Sequence, residues 1–326
     1  MMKTLGTLLV SASLIATGAA AQAADSVSFM IDWLPAGDKA AAYYGVENGI
    51  FEEAGLDVSI AVGRGSSDVV TKLATGTADV GSGGLAALLQ AVATENVPVK
   101  AVLSVYTIQP DSIFTTEDSG IESIADLVDK NLATATFSSS NVVWPLLLEA
   151  NGLAPDAIVA TKVDPGALAP MLATGQMDAT INWSTVAPAY DAVLAETGKT
   201  LKVLPWSDFG YEGYGLSIFA SDTMLAERPE VLARFLDAYT KATEAAIADP
   251  AGAAAALKKM VPEVDEATAV DQWTASIPLM ENEISERDGM GAFDPELLAT
   301  TWDWVARSLD LDPASLDPAR VIATVE

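Results

Sequence analysis

Near the start of the chain an apolar run ends in a carboxylate and an indole, Asp32 and Trp33, before Pro35 and Gly37 turn the chain. A carboxylate beside an indole suits a small molecule, because one accepts from N–H groups or balances a cation and the other stacks on a flat ring. The same two chemistries recur at predicted strand ends, with Tyr106, Trp144, Trp183, Tyr211 and Tyr214 as the aromatics and Asn141, Asn182 and Glu212 as the polar groups. Tyr43 lies in the helix just after the first turn and joins this candidate set. Each aromatic also suits a core position; the gathering of several at predicted loops is the feature that points to a pocket. Ser82 in "GSGG" and Ser139 in "FSSSN" each precede a predicted helix. Their hydroxyls and nearby backbone N–H groups could meet an anion or carbonyl, or simply cap the helix. Lys39 and Arg64 are the cations that a sulfonate or carboxylate would use.

Composition removes other chemistries. The chain has no histidine and no cysteine, which excludes imidazole bases, Ser-His and Cys-His dyads, thiol nucleophiles and His- or Cys-ligated metals. No catalytic residue, cofactor or metal is expected. With 17 Lys and Arg against 45 Asp and Glu, the net charge of −28 repels nucleic acid and anionic membranes. The expected partner is a small molecule.

The elements that position these residues follow from an internal repeat. "KLATGTADVGSGG" and "MLATGQMDATINWS" share Leu-Ala-Thr-Gly-x-x-Asp, at Leu73 to Asp79 and Leu172 to Asp178. Upstream, "NGIFEEAGLDVSIAVG" and "LLLEANGLAPDAIVAT" each read as helix end, Gly-Leu and β-branched run. Each copy therefore predicts helix, glycine cap, strand, short helix, glycine cap, aspartate, strand, which makes two α/β lobes. Strands are expected at 28–31, 57–62, 80–81 and 99–104 in the first copy, and at 132–136, 158–162, 179–182 and 201–204 in the second. Helices fall at 39–48, 67–74 and 85–95, then 140–150, 167–173 and 186–196. From Asp222 onward the apolar spacing is helical, and Trp273, Trp302 and Trp304 read as packing residues of that tail. Lobe 1 is expected to comprise 24–115 and 214–326, and lobe 2 to comprise 116–213, joined by two crossovers. In open sheets of this kind ligands sit beyond the carboxyl ends of the strands.

Lys3, an apolar run and "AQA" make residues 1–23 an expected secretory signal peptide, hence a periplasmic protein. The blocks "DWLPAGDKAAAYYGVENGIFEEAGLDV", "LATGTADVG" and "GYGLSIFASDTMLAERPEVLARFLDAYTKATEAAIADP" resemble the periplasmic substrate-binding proteins of ABC importers. The similar group includes proteins that bind thiamine pyrimidine precursors and, more distantly, taurine, alkanesulfonates and nitrate. The resemblance implies a two-lobed type II periplasmic-binding-protein fold, each lobe a mixed sheet flanked by helices, with a helical C-terminal segment. It further implies a monomer that closes on its ligand and delivers it to an ABC permease in the inner membrane. Trp33 would stack on a heteroaromatic ring. The pyrimidine-precursor pattern reads Asp-Trp-x-Pro-Asn-x-x-His, whereas this chain has Ala36 and Lys39 at the last two named positions. A sulfonate or other small anion is the alternative ligand. The pyrimidine synthases of thiamine biosynthesis also resemble this chain and imply pyridoxal phosphate and a histidine, which this sequence lacks.

Overall fold

The computed structural model describes residues 23–325, so the expected signal peptide lies outside the described residues except for its last position. Strand β1 (Asp25–Ile31) alternates Val27, Phe29 and Ile31 into one core while Met30 turns into another. It lies inside a sheet ordered β2 (Leu56–Val62), β1, β3 (Val80–Gly84), β10 (Leu216–Ser221), β4 (Val99–Ser104). The second sheet is ordered β7 (Thr161–Val163), β6 (Leu132–Ala135), β8 (Ala179–Trp183), β5 (Asp111–Thr116), β9 (Leu201–Pro205). In each sheet one strand runs against its neighbours, β10 in the first and β5 in the second. Those two are the strands that arrive from the opposite lobe.

Helices α1 (Ala40–Glu47), α2 (Ile50–Glu53), α3 (Ser66–Ala74) and α4 (Leu85–Glu95) belong to the first half of the chain. The second sheet carries α5 (Ser140–Ala150), α6 (Leu168–Ala173) and α7 (Ala187–Ala195). The tail forms α8 (Asp222–Glu227), α9 (Pro229–Ala248), α10 (Pro250–Met260), α11 (Glu266–Met280), α12 (Glu283–Asp288) and α13 (Pro295–Ser308). Helix α9 buries Leu232, Phe235, Tyr239 and Ala246 along one stripe against the first sheet. Helix α13 packs on both α4 and α5, so it spans the back of both lobes. None of the described helices is long and apolar enough to cross a membrane.

The repeated aspartates have the same structural task. Asp79, just before β3, accepts from Ser28 N within β1 at 2.8 Å, and Asp178, just before β8, accepts from Asn131 N just before β6 at 2.7 Å, so each carboxylate ties the start of its own strand to the parallel neighbour. Gly76 and Gly175, at φ +71° and +72°, end the helices that precede them.

Three expectations need correction. "GSGG" is not a loop that opens a helix; it is strand β3, paired with β1 and β10. Its glycines admit close neighbours, since a Cβ on Gly81 would strike Val69 and one on Gly83 the Phe219 ring. The strand expected at 158–162 is a short one at Thr161–Val163, because Ile158 instead packs in the core and accepts from Trp144 Nε1 at 2.9 Å. The chain also changes sheets before Asp111 rather than at 115/116, as β5 pairs with β8 and β9 throughout.

The lobes meet along a seam built on glycines. Gly84 lies against Ser139 of the opposite lobe, and Gly65, at φ +142°, lies against the Phe137 carbonyl, which also accepts from Ser67 N at 3.1 Å. At Gly84 φ is −68°, so a side chain there is limited only by space. Gly84→Val is expected to cost the closed arrangement about 1–3 kcal/mol through overpacking. Small-angle scattering should show a larger radius of gyration than wild type; an unchanged radius would show that the seam yields.

Candidate functional site

The carboxyl end of β1 in the first sheet and those of β6 and β8 in the second face one another across this seam. A cavity of about 20 Å³ there is lined by Asp32, Trp33, Asp38, Lys39, Ser66, Ser138, Ser139, Asn182, Trp183 and Val186. That is room for about one water molecule. The lobes have closed tightly around buried charge.

Asp32 follows β1 directly, and Asp38 and Lys39 sit in the one-turn helix Gly37–Lys39 that precedes α1. The turn is fixed from far along the chain: Gly37 N donates to Gln272 Oε1 at 2.8 Å, and a Cβ on Gly37 would strike the backbone of Ala269. Asp32, Asp38 and Lys39 are 2%, 3% and 5% exposed. Lys39 Nζ lies 3.4 Å from Asp32 Oδ1 and 3.2 Å from Asp38 Oδ2, and 4.9 Å from the centre of the Trp183 ring.

Hydroxyls orient both carboxylates. Ser66 Oγ, at the start of α3, donates to Asp32 Oδ2 at 3.0 Å and itself accepts from Gly84 N at 2.9 Å. Thr185 Oγ1 reaches from the second lobe and donates to Asp38 Oδ2 at 2.9 Å. Tyr106 donates its phenol proton to the Asp38 carbonyl at 3.0 Å, and its ring lies 6.1 Å from that of Trp183. On the opposite side Trp183 Nε1 donates to Asp111 Oδ1 at 3.2 Å, and Ser140 Oγ bonds the same oxygen.

Within this buried cluster Asp32 and Lys39 both hold their protons more firmly than usual. Burial pushes Asp32 above the usual carboxylate range, against the opposing effects of Lys39 and the Ser66 hydroxyl. Burial alone would lower Lys39, but Asp32 and Asp38 outweigh it and hold the ammonium above the ordinary lysine value. Both carboxylates are therefore already engaged with a cation, and Arg64 is engaged elsewhere, 2.9 Å from Asp68. An anionic ligand would find no unpaired cation among the lining residues.

Of the residues singled out in the sequence, Asp32, Trp33, Lys39, Ser139, Asn182 and Trp183 line the cavity, and Tyr106 supports it from behind. Trp33 is partly buried and packs against the apolar cluster of the second lobe. Asn182 bonds Tyr190 and the Trp183 backbone, which fixes the end of β8. The other seven lie elsewhere. Tyr43 is in the core under the first sheet, and Ser82 is buried within β3. Asn141 ties α5 to the end of β6 through Thr134 and the Ala135 carbonyl. Trp144 and Tyr211 flank Trp206, with ring centres 5.5 and 6.0 Å away, and Tyr211 meets Trp304 at 5.0 Å. This aromatic row fastens α5 and α13 to the return crossover. Tyr214 accepts from Asp294 N at 2.5 Å at the start of α13, and Glu212 is exposed.

Sequence reasoning passed over Asp38, Ser66, Ser138 and Val186 in the lining and Asp111, Ser140 and Thr185 around it. Ser138 stood in "FSSSN", which precedes a predicted helix, and Ser66 in "GRGSSD", just past the strand expected at 57–62. Asp38 had no local signal, since Gln272 and Thr185 place it.

A family model described as NMT1/THI5 like matches residues 37–253, and the chain belongs to that family. The formylaminopyrimidine-binding protein of Halalkalibacterium halodurans is 26% identical over 296 residues, covering 89% of this chain and 86% of that protein. The 4-amino-5-hydroxymethyl-2-methylpyrimidine phosphate synthase THI13 of Saccharomyces cerevisiae is 25% identical over 238 residues, covering 69% and 68%. Among solved structures, the alkanesulfonate-binding protein SsuA from Xanthomonas axonopodis pv. citri bound to MOPS superposes with a TM-score of 0.71 at 17% identity, covering 93% of this chain and 99% of that one. The fold is that of the periplasmic binding proteins. Binding proteins and an enzyme both occur among the relatives.

Asp111 gives the site a measurable pH dependence. Burial lifts its carboxyl from 3.8 to about 6, against the lowering effect of the Ser140 and Trp183 hydrogen bonds. The stability contributed by its protonated form is present below the ordinary carboxylate value and is lost as pH rises through about 6. Asp111→Asn keeps an oxygen for both donors and is expected to flatten the fall in stability between pH 4 and 6. At pH 7 it should be more stable than wild type by on the order of 2–3 kcal/mol, read by urea denaturation.

Proposed function

We propose that this chain is an extracytoplasmic solute-binding protein that captures a small nitrogenous molecule, a pyrimidine or related heterocycle, between its lobes and delivers it to an ABC permease. The observation that carries this reading is the cavity itself: it lies between two lobes, and carboxylates and indoles meet in it. Asp32 and Asp38 supply acceptor oxygens suited to ligand N–H groups, while Trp33 and Trp183 offer faces to a flat ring. The family and the formylaminopyrimidine-binding relative support the same ligand class. Binding without turnover is favoured by the chemistry of the lining. It contains no nucleophile with an imidazole or thiol partner, and its lysine is held protonated by two carboxylates. Secretion to the periplasm and action as a monomer belong to the same proposal.

A sulfonate or other small anion is the second reading. Ser66, Ser138, Ser139 and Lys39 in the lining favour it, but it requires Lys39 to leave both carboxylates.

The test is tryptophan fluorescence and calorimetry with a 4-aminopyrimidine and with an alkanesulfonate. The pyrimidine should change the emission and saturate at one per chain. Asp32→Asn should weaken it by about 10- to 100-fold, the worth of a hydrogen bond to a charged group. Binding of the sulfonate alone, undiminished in Asp32→Asn, would overturn the heterocycle reading.

A further inference from the structure

The charged cluster has fixed and loose parts. The carboxylates are fixed, because Ser66 donates to Asp32 and Thr185 donates to Asp38. The cation is loose. Lys39 Nζ stands within ion-pair distance of both carboxylates but makes no hydrogen bond, and Asp32 Oδ1 and Asp38 Oδ1 are likewise buried without a partner. The ammonium therefore sits within ion-pair distance of one oxygen of each carboxylate without a well-aligned hydrogen bond to either. Above them lies the Trp183 ring, whose own N–H is spent on Asp111, a carboxylate that enriches the face turned to the ammonium. The receptor thus has the parts of a cation site: two oriented carboxylates and an indole face, with a tethered ammonium that fits them imperfectly.

Space decides what happens when a ligand arrives. With Lys39 in place the cavity holds about 20 Å³, too little for any organic ring. A ligand cation that takes the place of the ammonium leaves the cluster's charge unchanged, so the exchange leaves no carboxylate unpaired.

We propose that Lys39 is a displaceable internal occupant of a cation subsite formed by Asp32, Asp38 and the Trp183 face, and that the ligand is a flat organic cation with N–H donors that replaces it. The inference rests on the reading of this cleft as a small-molecule site, and makes Lys39 a specificity-determining residue. Cations exchange with it on equal terms, whereas neutral molecules must leave the two carboxylates without a counter-charge. A planar donor of the amidinium or aminopyrimidinium kind can also satisfy Asp32 Oδ1 and Asp38 Oδ1, which Lys39 does not.

The experiment uses the full chain. Lys39→Met keeps the length of the side chain and removes the charge, so the vacated subsite should accept a free amine. Methylammonium chloride at about 100-fold above its Kd should raise the Tm of Lys39→Met by about 4 °C relative to sodium chloride at the same ionic strength. Wild type should not respond, and neither should Asp38→Asn combined with Lys39→Met, in which one carboxylate is gone. A second measurement does not depend on the variant's folding: acetylation of Lys39 in wild type, read by mass spectrometry, should be slow and should accelerate at least tenfold with benzamidinium. A Lys39→Met chain indifferent to methylammonium overturns the proposal, as does Lys39 that stays protected while benzamidinium binds. Wild type that binds a 4-aminopyrimidine with Lys39 still protected overturns the exchange alone. Wild type that binds no heterocycle while Lys39→Met takes methylammonium overturns the heterocycle reading alone.

Discussion

Charge that is taken out of water must be met by charge, and the arrangement of Asp32, Asp38 and Lys39 between the lobes is the place where this chain obeys that constraint. The buried ammonium depends on the carboxylates beside it, and Asp32 and Asp38 both lie buried within ion-pair distance of that one cation. Everything near the seam serves to hold them. Ser66 at the start of α3 and Thr185 from the second lobe aim the acids, and Gln272 from the helical tail fixes the turn that carries two of the three charges. One hydrogen bond of this set, from Thr185 to Asp38, links the lobes directly, so closure and the state of the charge cluster are one event.

Behind the seam the molecule is apolar and its aromatics are structural. Trp144, Trp206, Tyr211 and Trp304 form a row from the second lobe through the return crossover to the last long helix. The crossovers touch each other there: Val105 and Tyr106 both donate to the Leu216 carbonyl, and Gln109 donates to the Tyr211 carbonyl at 3.1 Å. Rigid packing on this side leaves the seam of Gly65, Gly84, Phe137 and Ser139 as the side on which the lobes can part.

The architecture was legible because it is periodic and repeated. The Leu-Ala-Thr-Gly-x-x-Asp copies located two equivalent helix ends and strand starts, and alternation or helical spacing located most other elements within a residue or two. Where local rules misled, a tertiary contact had overridden them. Glycines at 81, 83 and 84 read as a strand end and a loop before a helix, yet they are the form a strand takes when a helix, a ring and the other lobe press against it. The aromatics misled for a related reason, since residues near strand ends can face the cleft or the hinge and spacing does not distinguish the two. Trp33 and Trp183 face the first, Trp144 and Tyr211 the second. Asp32 and Lys39 were visible as a motif, but Asp38 between them became part of the site only through partners in sequence-distant helices.

The placement of β10 between β3 and β4 has a consequence for the order in which the molecule can be assembled. The second sheet uses only residues 111–205 and can pair fully as soon as that stretch is free. The first sheet cannot, because β4 has no partner until residues 216–221 arrive, after the whole of the other lobe. A chain emerging from its N-terminus therefore finishes its second lobe first, while β3 and β4 wait as exposed edges open to mispairing. Deletions that remove β10 leave the earlier lobe incomplete, although every residue of its first four strands is present.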